Sequence, residues 1–261
     1  MTRFTLYNAP QSTCSQRVRY ALHAKGQAFT EHKLDLFSGD QLTPDYLAIN
    51  PNGVVPALLD GAEPVIDSAV ILEYLEDILP DVAPMRPADP LAVARMRAMM
   101  RFIDEVPAAS IRIPSYNIAF LPNYQAMTAD AFQALCDSKP LRREFLMRMG
   151  RTGFPQADMD EALGRLSRGV ARMADWLAQG GGPWLMGRDL SLADVMVMPV
   201  IVRMDDIALG HLWDGFPAVA AWLDAIRATP AFAPTYYHGS LLTEKYPHLA
   251  TLKLTPKAAR A

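Results

Sequence analysis

Four residues near the start, Ser12-Thr13-Cys14-Ser15, combine a thiol with hydroxyls where a first strand gives way to a helix. Backbone amides at a helix entry point forward, and with the helix dipole they favour an anion there, a thiolate included. A hydroxyl ahead of the helix can donate to such a sulfur, and Ser12 is best placed for it. Ser15 reads either as a second activating hydroxyl or as a plain helix cap. Cys14 reads either as a nucleophile of lowered pKa or as a small buried side chain. The other cysteine, Cys136, is far away in sequence, so CxxC redox chemistry is not expected.

Two further segments offer binding groups. In Asn50-Pro51-Asn52-Gly53-Val54-Val55-Pro56-Ala57-Leu58, Pro56 must open a strand or bend into one. The Val55–Pro56 bond is either cis or trans at a strand edge. A cis bond leaves the preceding amide and carbonyl free to pair with an extended peptide ligand. Asp67-Ser68 places a carboxylate and a hydroxyl at a helix start, fit for an amino-acid head group or for capping alone. The five histidines show no HxH or HExxH spacing, so no metal is expected. Arg142, Arg143, Arg148 and Arg151 read as a solvated helix face.

The elements that must position these groups fall into two sets. Strands are expected over 4–7 and 29–36, with a helix over 15–25 between them, stopped by Gly26. Thr43-Pro44-Asp45 starts a helix, and strands 57–59 and 65–66 join across Asp60-Gly61. Ser68 opens a helix that Pro80 ends. Residues 81–90 form a linker, and all beyond it reads as helical. The stripe Met159, Leu163, Leu166, Val170, Met173, Leu177 marks an amphipathic helix. Ser191 and Asp194 form a capping box. Residues 107–155, with five prolines and several aromatics, read as short helices joined by irregular turns: a lid over a pocket or a surface elaboration. The tail 250–261 is expected to be mobile.

With 261 residues, 51% hydrophobic, 20% charged and a net charge of −3, the chain has a globular composition that does not point to nucleic acid. No apolar run has membrane-spanning length, the start has no secretory apolar core, and two cysteines make no disulfide scaffold. The expectation is a cytoplasmic protein with no membrane partner.

Taken together, the Ser12-Thr13-Cys14-Ser15 turn with Arg17, Val55-Pro56, Asp67-Ser68 and the Ser191–Asp194 box resemble the glutathione S-transferase superfamily over essentially the whole chain. The resemblance implies an α/β thioredoxin-like domain over 1–80 and an all-α substrate domain over 91–249 with an insertion at about 107–155. It implies glutathione as the cofactor, lying along Val55 beside a cis Pro56, its γ-glutamyl end at Asp67 and Ser68 and its glycyl carboxylate near Gln41. It also implies a dimer, of like or unlike chains. Ser12-Thr13-Cys14 resembles the zeta class, which includes maleylacetoacetate isomerases, and the reductive dehalogenases, where the position of Cys14 is a nucleophile. Arg86-Pro87-Ala88-Asp89-Pro90, the insertion and Gly153-Phe154-Pro155-Gln156 most resemble bacterial glutathione-dependent β-etherases, which carry asparagine at the position of Cys14. Ser12, Cys14 or Ser15 would then stabilise the thiolate, and a small aromatic electrophile would lie near Tyr116, Asn117 and Phe120. A non-catalytic glutathione-binding subunit is the remaining reading.

Overall fold

Phe4, Leu6 and Asn8 alternate with half-buried Thr5 and Tyr7, and this period-two pattern makes Phe4–Asn8 a strand, β1. The computed structural model describes residues 2–254 of the chain, so the part of the expected tail at 255–261 lies outside the described residues; residues 250–254 continue a 3-10 helix from Pro247. Helix α1, Thr13–Ala24, follows β1, and β2 covers Phe29–Lys33. Helix α2 is Pro44–Ile49, β3 is Ala57–Asp60, β4 is Glu63–Ile66 and α3 is Ser68–Ile78. The sheet order is β2-β1-β3-β4, with β1 and β2 parallel and the other pairs antiparallel. Leu6 stands opposite Leu58, and Leu58 opposite Val65.

Several expected boundaries shift: β1 and β3 each run one residue further, β4 begins at Glu63 rather than 65, and two larger differences have a local cause. Helix α1 begins at Thr13 rather than Ser15, because Ser12 is the cap. Strand β2 ends at Lys33 rather than 36, where the register with β1 runs out at Asn8.

Helix α4, Pro90–Glu105, starts the helical half. The insertion then winds through α5 (Pro107–Ser110), α6 (Arg112–Ser115), a π-helical turn (Tyr116–Phe120), α7 (Leu121–Gln125), α8 (Ala129–Asp137) and α9 (Arg143–Met149). Helix α10, Gln156–Gly180, buries Leu166, Val170, Met173 and Leu177 of the expected stripe. Helix α11, Leu192–Asp206, is buried along nearly its whole length, and α12 is Pro217–Arg227. Short helices α13 (Phe232–Thr235) and α14 (Leu242–Lys245) follow.

One core spans both halves. Phe4, Leu6 and Leu58 of the sheet join Val18 and Leu22 of α1, Ile71 and Leu75 of α3, and Met96, Ile103, Val195 and Met198 of the helical half. Buried charges fix α1 in that core. Lys25 pairs with Glu76 at 2.8 Å and donates to the carbonyls of Leu79 and Val82, tying α1 to the linker. Arg17 donates to the Met196 carbonyl at 3.0 Å and to Asp104 at 2.7 Å, tying α1 to α11 and α4. Arg19 donates to Asn8, Pro10 and Thr235. These contacts set the angle at which α1 presents its first turn.

The box at α11 forms with a difference. Asp194 accepts from the Ser191 amide at 2.9 Å and from the Ser191 hydroxyl at 2.7 Å, so the serine donates to the carboxylate. Asp194 also takes the Leu185 amide and the Trp222 indole, both at 2.9 Å.

Candidate active site

The first turn of α1 opens on a cavity of about 450 Å³ between the sheet domain and the insertion. Ser12 and Cys14 line it. Ser12 caps α1: its Oγ accepts from the Ser15 amide at 3.2 Å. That bond uses the oxygen as acceptor and leaves the hydroxyl proton with no acceptor among the described residues. The Thr13 and Cys14 amides, too early in the helix for an internal bond, also lack an acceptor among the described residues. One hydroxyl and two amides thus offer hydrogens beside the Cys14 thiol, a donor set suited to an anionic sulfur.

Ser15 is not brought to the cavity. It is fully buried, and its Oγ accepts from the Ala9 amide at 3.3 Å. Its hydroxyl ties the β1–α1 turn together.

The Val55–Pro56 bond is cis. Val55 lines the cavity, while Pro56 is buried beside it and does not. The Val55 amide and carbonyl have no partner among the described residues; the Val54 carbonyl is taken by Tyr46 at 2.6 Å and Asn50 at 2.7 Å. Gln41 lines the same wall. Its Nε2 donates to Leu36 at 3.4 Å, and its buried Oε1 has no partner.

Asp67 and Ser68 stand outside the cavity lining. Asp67 holds a left-handed backbone at φ 72° and caps α3 through the Ala69 and Val70 amides, at 2.9 and 3.2 Å. Ser68 accepts from Arg17 at 3.2 Å, and Arg17 reaches the cavity residue Asp104. The second terminal nitrogen of Arg17 is buried and has no partner among the described residues. A polar chain therefore links Ser68 to the cavity.

The opposite wall is the insertion. Tyr116 and Phe120 line it. Tyr116 stacks on Tyr124 at 6.0 Å and meets Phe120 and Phe145 edge-on at 5.0 and 4.9 Å. Burial pushes both tyrosine phenols above their ordinary range. Asn117 does not line the cavity. It clamps the Phe154 backbone at both ends, donating to its carbonyl at 2.9 Å and accepting from its amide at 2.8 Å. Gly153 is held at φ 92° against Leu121 and Asn117, where a Cβ would lie 2.9 Å from the leucine methyl. These contacts explain the Gly153-Phe154-Pro155 segment. Lys139 donates to Leu36 at 2.9 Å, and Phe37 meets Tyr124 edge-on at 6.0 Å, so the insertion is fastened to the loop that carries Gln41.

The sequence reading missed the cavity's basic lining: Lys33, Arg112, Lys139, Arg142, Arg203 and Lys245 face two acids, Asp35 and Asp104. Arg142 was read as part of a solvated face. It is half-buried in the cavity instead, because Pro140 and Leu141 turn the chain inward before α9. Arg148 and Arg143 do sit at the surface, paired with Asp158 and Asp137. A larger groove of about 1100 Å³ runs along the linker and α4. Of its charged groups, Glu76 pairs with Lys25, Arg97 with Glu73 and Arg86 with Asp77. It holds no thiol or free hydroxyl at a helix entry.

Among the described residues no cluster of His, Cys, Asp and Glu could hold a metal, and no helix is long and apolar enough to cross a membrane.

A mixed four-stranded sheet domain and a helical domain, with a cavity at the first turn of α1, are the architecture of the glutathione S-transferase class. The chain belongs to the glutathione S-transferase family: the N-terminal domain model matches residues 11–78 and the C-terminal domain model residues 156–225. The protein LigF of Sphingobium sp. strain SYK-6 is 30% identical, over 87% of this chain and 90% of that protein. The crystal structure of beta-etherase LigF superposes with a TM-score of 0.81 at 28% identity, covering 90% of this chain and 98% of that one. The zeta-class glutathione S-transferase of Euphorbia esula is 31% identical over 76% of this chain and 75% of its own. The maleylacetoacetate isomerase of Pseudomonas aeruginosa is 29% identical over 87% of this chain and 92% of its own.

Proposed function

We propose that the protein uses glutathione to cleave aromatic β-aryl ethers. The observation that carries this reading is the union of a sulfur-binding helix entry with an aromatic wall across one cavity, in a chain similar over nearly its full length to a beta-etherase. Groups left without a partner among the described residues fit the tripeptide: the Val55 amide and carbonyl for its main chain, Gln41 Oε1 for an amide, and the second terminal nitrogen of Arg17, beside the already engaged Ser68 and Asp67, for its amino-acid end. When bound, glutathione supplies a thiolate that displaces a phenolate from the carbon next to a ketone, exchanging one C–O bond for one C–S bond.

The chain's own residues have modest tasks. The Ser12 hydroxyl and the Thr13 and Cys14 amides hold negative charge at the sulfur position. Tyr116, Phe120 and Tyr124 align aromatic rings against it. Tyr116 stays a neutral phenol, because burial disfavours its ionised form. The thiol proton passes to solvent when the thiolate forms and the departing phenolate takes one from solvent, so no acid of the chain is required at the leaving oxygen.

The protein acts as a cytoplasmic dimer in this reading. Support comes from two free cysteines and from the exposed apolar side chains Val70 on α3 and Leu91 on α4. The zeta-like turn supports a second reading, isomerisation or reductive dehalogenation through Cys14. Incubation of Cys14→Ser with glutathione and each substrate class separates the two: ether cleavage persists, and Cys14-dependent dehalogenation stalls.

A further inference from the structure

Of the six cations lining the cavity, three have a local role and Lys245 lies in the field of Asp35. Lys139 and Arg203 donate to backbone carbonyls, and Lys33 lies over the Tyr237 ring. Arg112 and Arg142 differ. Neither guanidinium has a hydrogen bond or ion pair among the described residues, and both line the cavity beside its aromatic wall. They come from separate segments, Arg112 from the start of α6 and Arg142 from the turn before α9, so the fold brings two like charges together. Unpaired like charges around a shared space are unfavourable unless an anion enters it.

We propose that the electrophile carries a carboxylate on its aromatic ketone portion, and that Arg112 and Arg142 bind it. The inference rests on the etherase reading for the rest of the substrate. A planar carboxylate matches the paired donors of a guanidinium. Burial, and next the field of Arg142, hold Arg112 below its ordinary range, a cost that an incoming anion relieves. Arg112 and Arg142 line the same cavity as Ser12 and Cys14, so the anion site and the sulfur position share one space. Six basic groups line the cavity against two acidic ones, and Arg112 and Arg142 stand at its aromatic wall, away from the helix entry where a glutathione thiolate would sit.

The test uses two aryloxy ketones of equal shape. One carries a carboxymethyl group on the ketone's ring, the other a carbamoylmethyl group, each insulated from the reacting carbon by the methylene. The wild type should favour the acid by about 10- to 100-fold in kcat/KM, expressed mainly in KM. In Arg112→Gln and in Arg142→Gln that ratio should fall toward one, and Arg112→Lys should restore part of it. Equal use of both ketones by the wild type, or a ratio that survives both glutamine variants, overturns the proposal. Calorimetry keeps the two readings apart. With S-methylglutathione present, 4-methoxyphenylacetate should bind more tightly than its amide, and Arg112→Gln should abolish the difference. If neither ketone is cleaved but that difference holds, the etherase reading fails and the carboxylate site stands. If the difference is absent, the site falls.

Discussion

Ser12 and Ser15 share one hydrogen bond, the Ser15 amide donating to the Ser12 hydroxyl at 3.2 Å, yet only Ser12 opens on the cavity. The bond fixes which lone pair of Ser12 is occupied and leaves its proton for a bound sulfur. Ser12→Ala should therefore lower kcat/KM about 100-fold, as loss of one preorganised donor does. The pKa of bound glutathione, read from thiolate absorbance, should rise in the same variant. The helix also loses its cap, costing about 1 kcal/mol, so a folded variant is expected. An unchanged thiol titration would remove Ser12 from the role.

Ser15→Ala should behave differently. Its hydroxyl is buried in the β1–α1 turn, so the effect falls on stability, by about 1 kcal/mol, while the bound thiol titrates as in the wild type. A rise in that thiol pKa as large as in Ser12→Ala would contradict the placement.

Asp194 carries the junction between the linker side and the last helices. Four donors converge on it, from the Leu185 amide, the Ser191 amide and hydroxyl, and the Trp222 indole. Burial nonetheless holds its pKa above the ordinary carboxyl range. Asp194→Ala strands these donors and should cost about 3 kcal/mol or more in urea unfolding. Asp194→Asn, which keeps one acceptor oxygen, should lose less. Equal midpoints for the two variants would show that the hydrogen bonds do not set the cost.

His23 should make stability depend on pH on the acidic side. Burial first, then Arg19, lowers its pKa, with Glu31 opposing. The unfolded chain therefore takes up a proton at higher pH than the folded one. Stability from the neutral ring is present above the unfolded value, about 6.5. It is lost as pH falls toward and through the folded value. In His23→Phe, which keeps an aromatic contact with Phe29, melting temperature should fall less between pH 7 and pH 5 than in the wild type. Parallel curves would exclude His23 as the cause.

The segments proposed to hold glutathione stood out in the sequence because their chemistry is local. A serine ahead of a helix, a valine before a proline and Asp67-Ser68 at a helix start announce themselves within a few residues, and the fold holds them there. Ser15 was ambiguous because the same spacing serves a cap, a core tie and an activating group. The insertion was legible as short helices joined by turns, but not in which of its side chains face inward. Its short helices and π-helical turn carry no single period, so nothing in the spacing of Arg112 and Arg142 announces that both point into one cavity. Asn117 misled for the same reason: a polar residue between Tyr116 and Phe120 looked like a substrate contact, whereas it clamps Phe154.

The direct test of a glutathione sulfur held at Ser12 and aimed at an aryl ether is a mass balance. Purified protein is mixed with glutathione and a β-aryloxy ketone, and phenol, thioether and remaining thiol are measured together. The account predicts one phenol and one thioether for each thiol consumed, at a rate that falls about 100-fold in Ser12→Ala. Glutathione uptake without phenol release, or phenol release without loss of thiol, would contradict it.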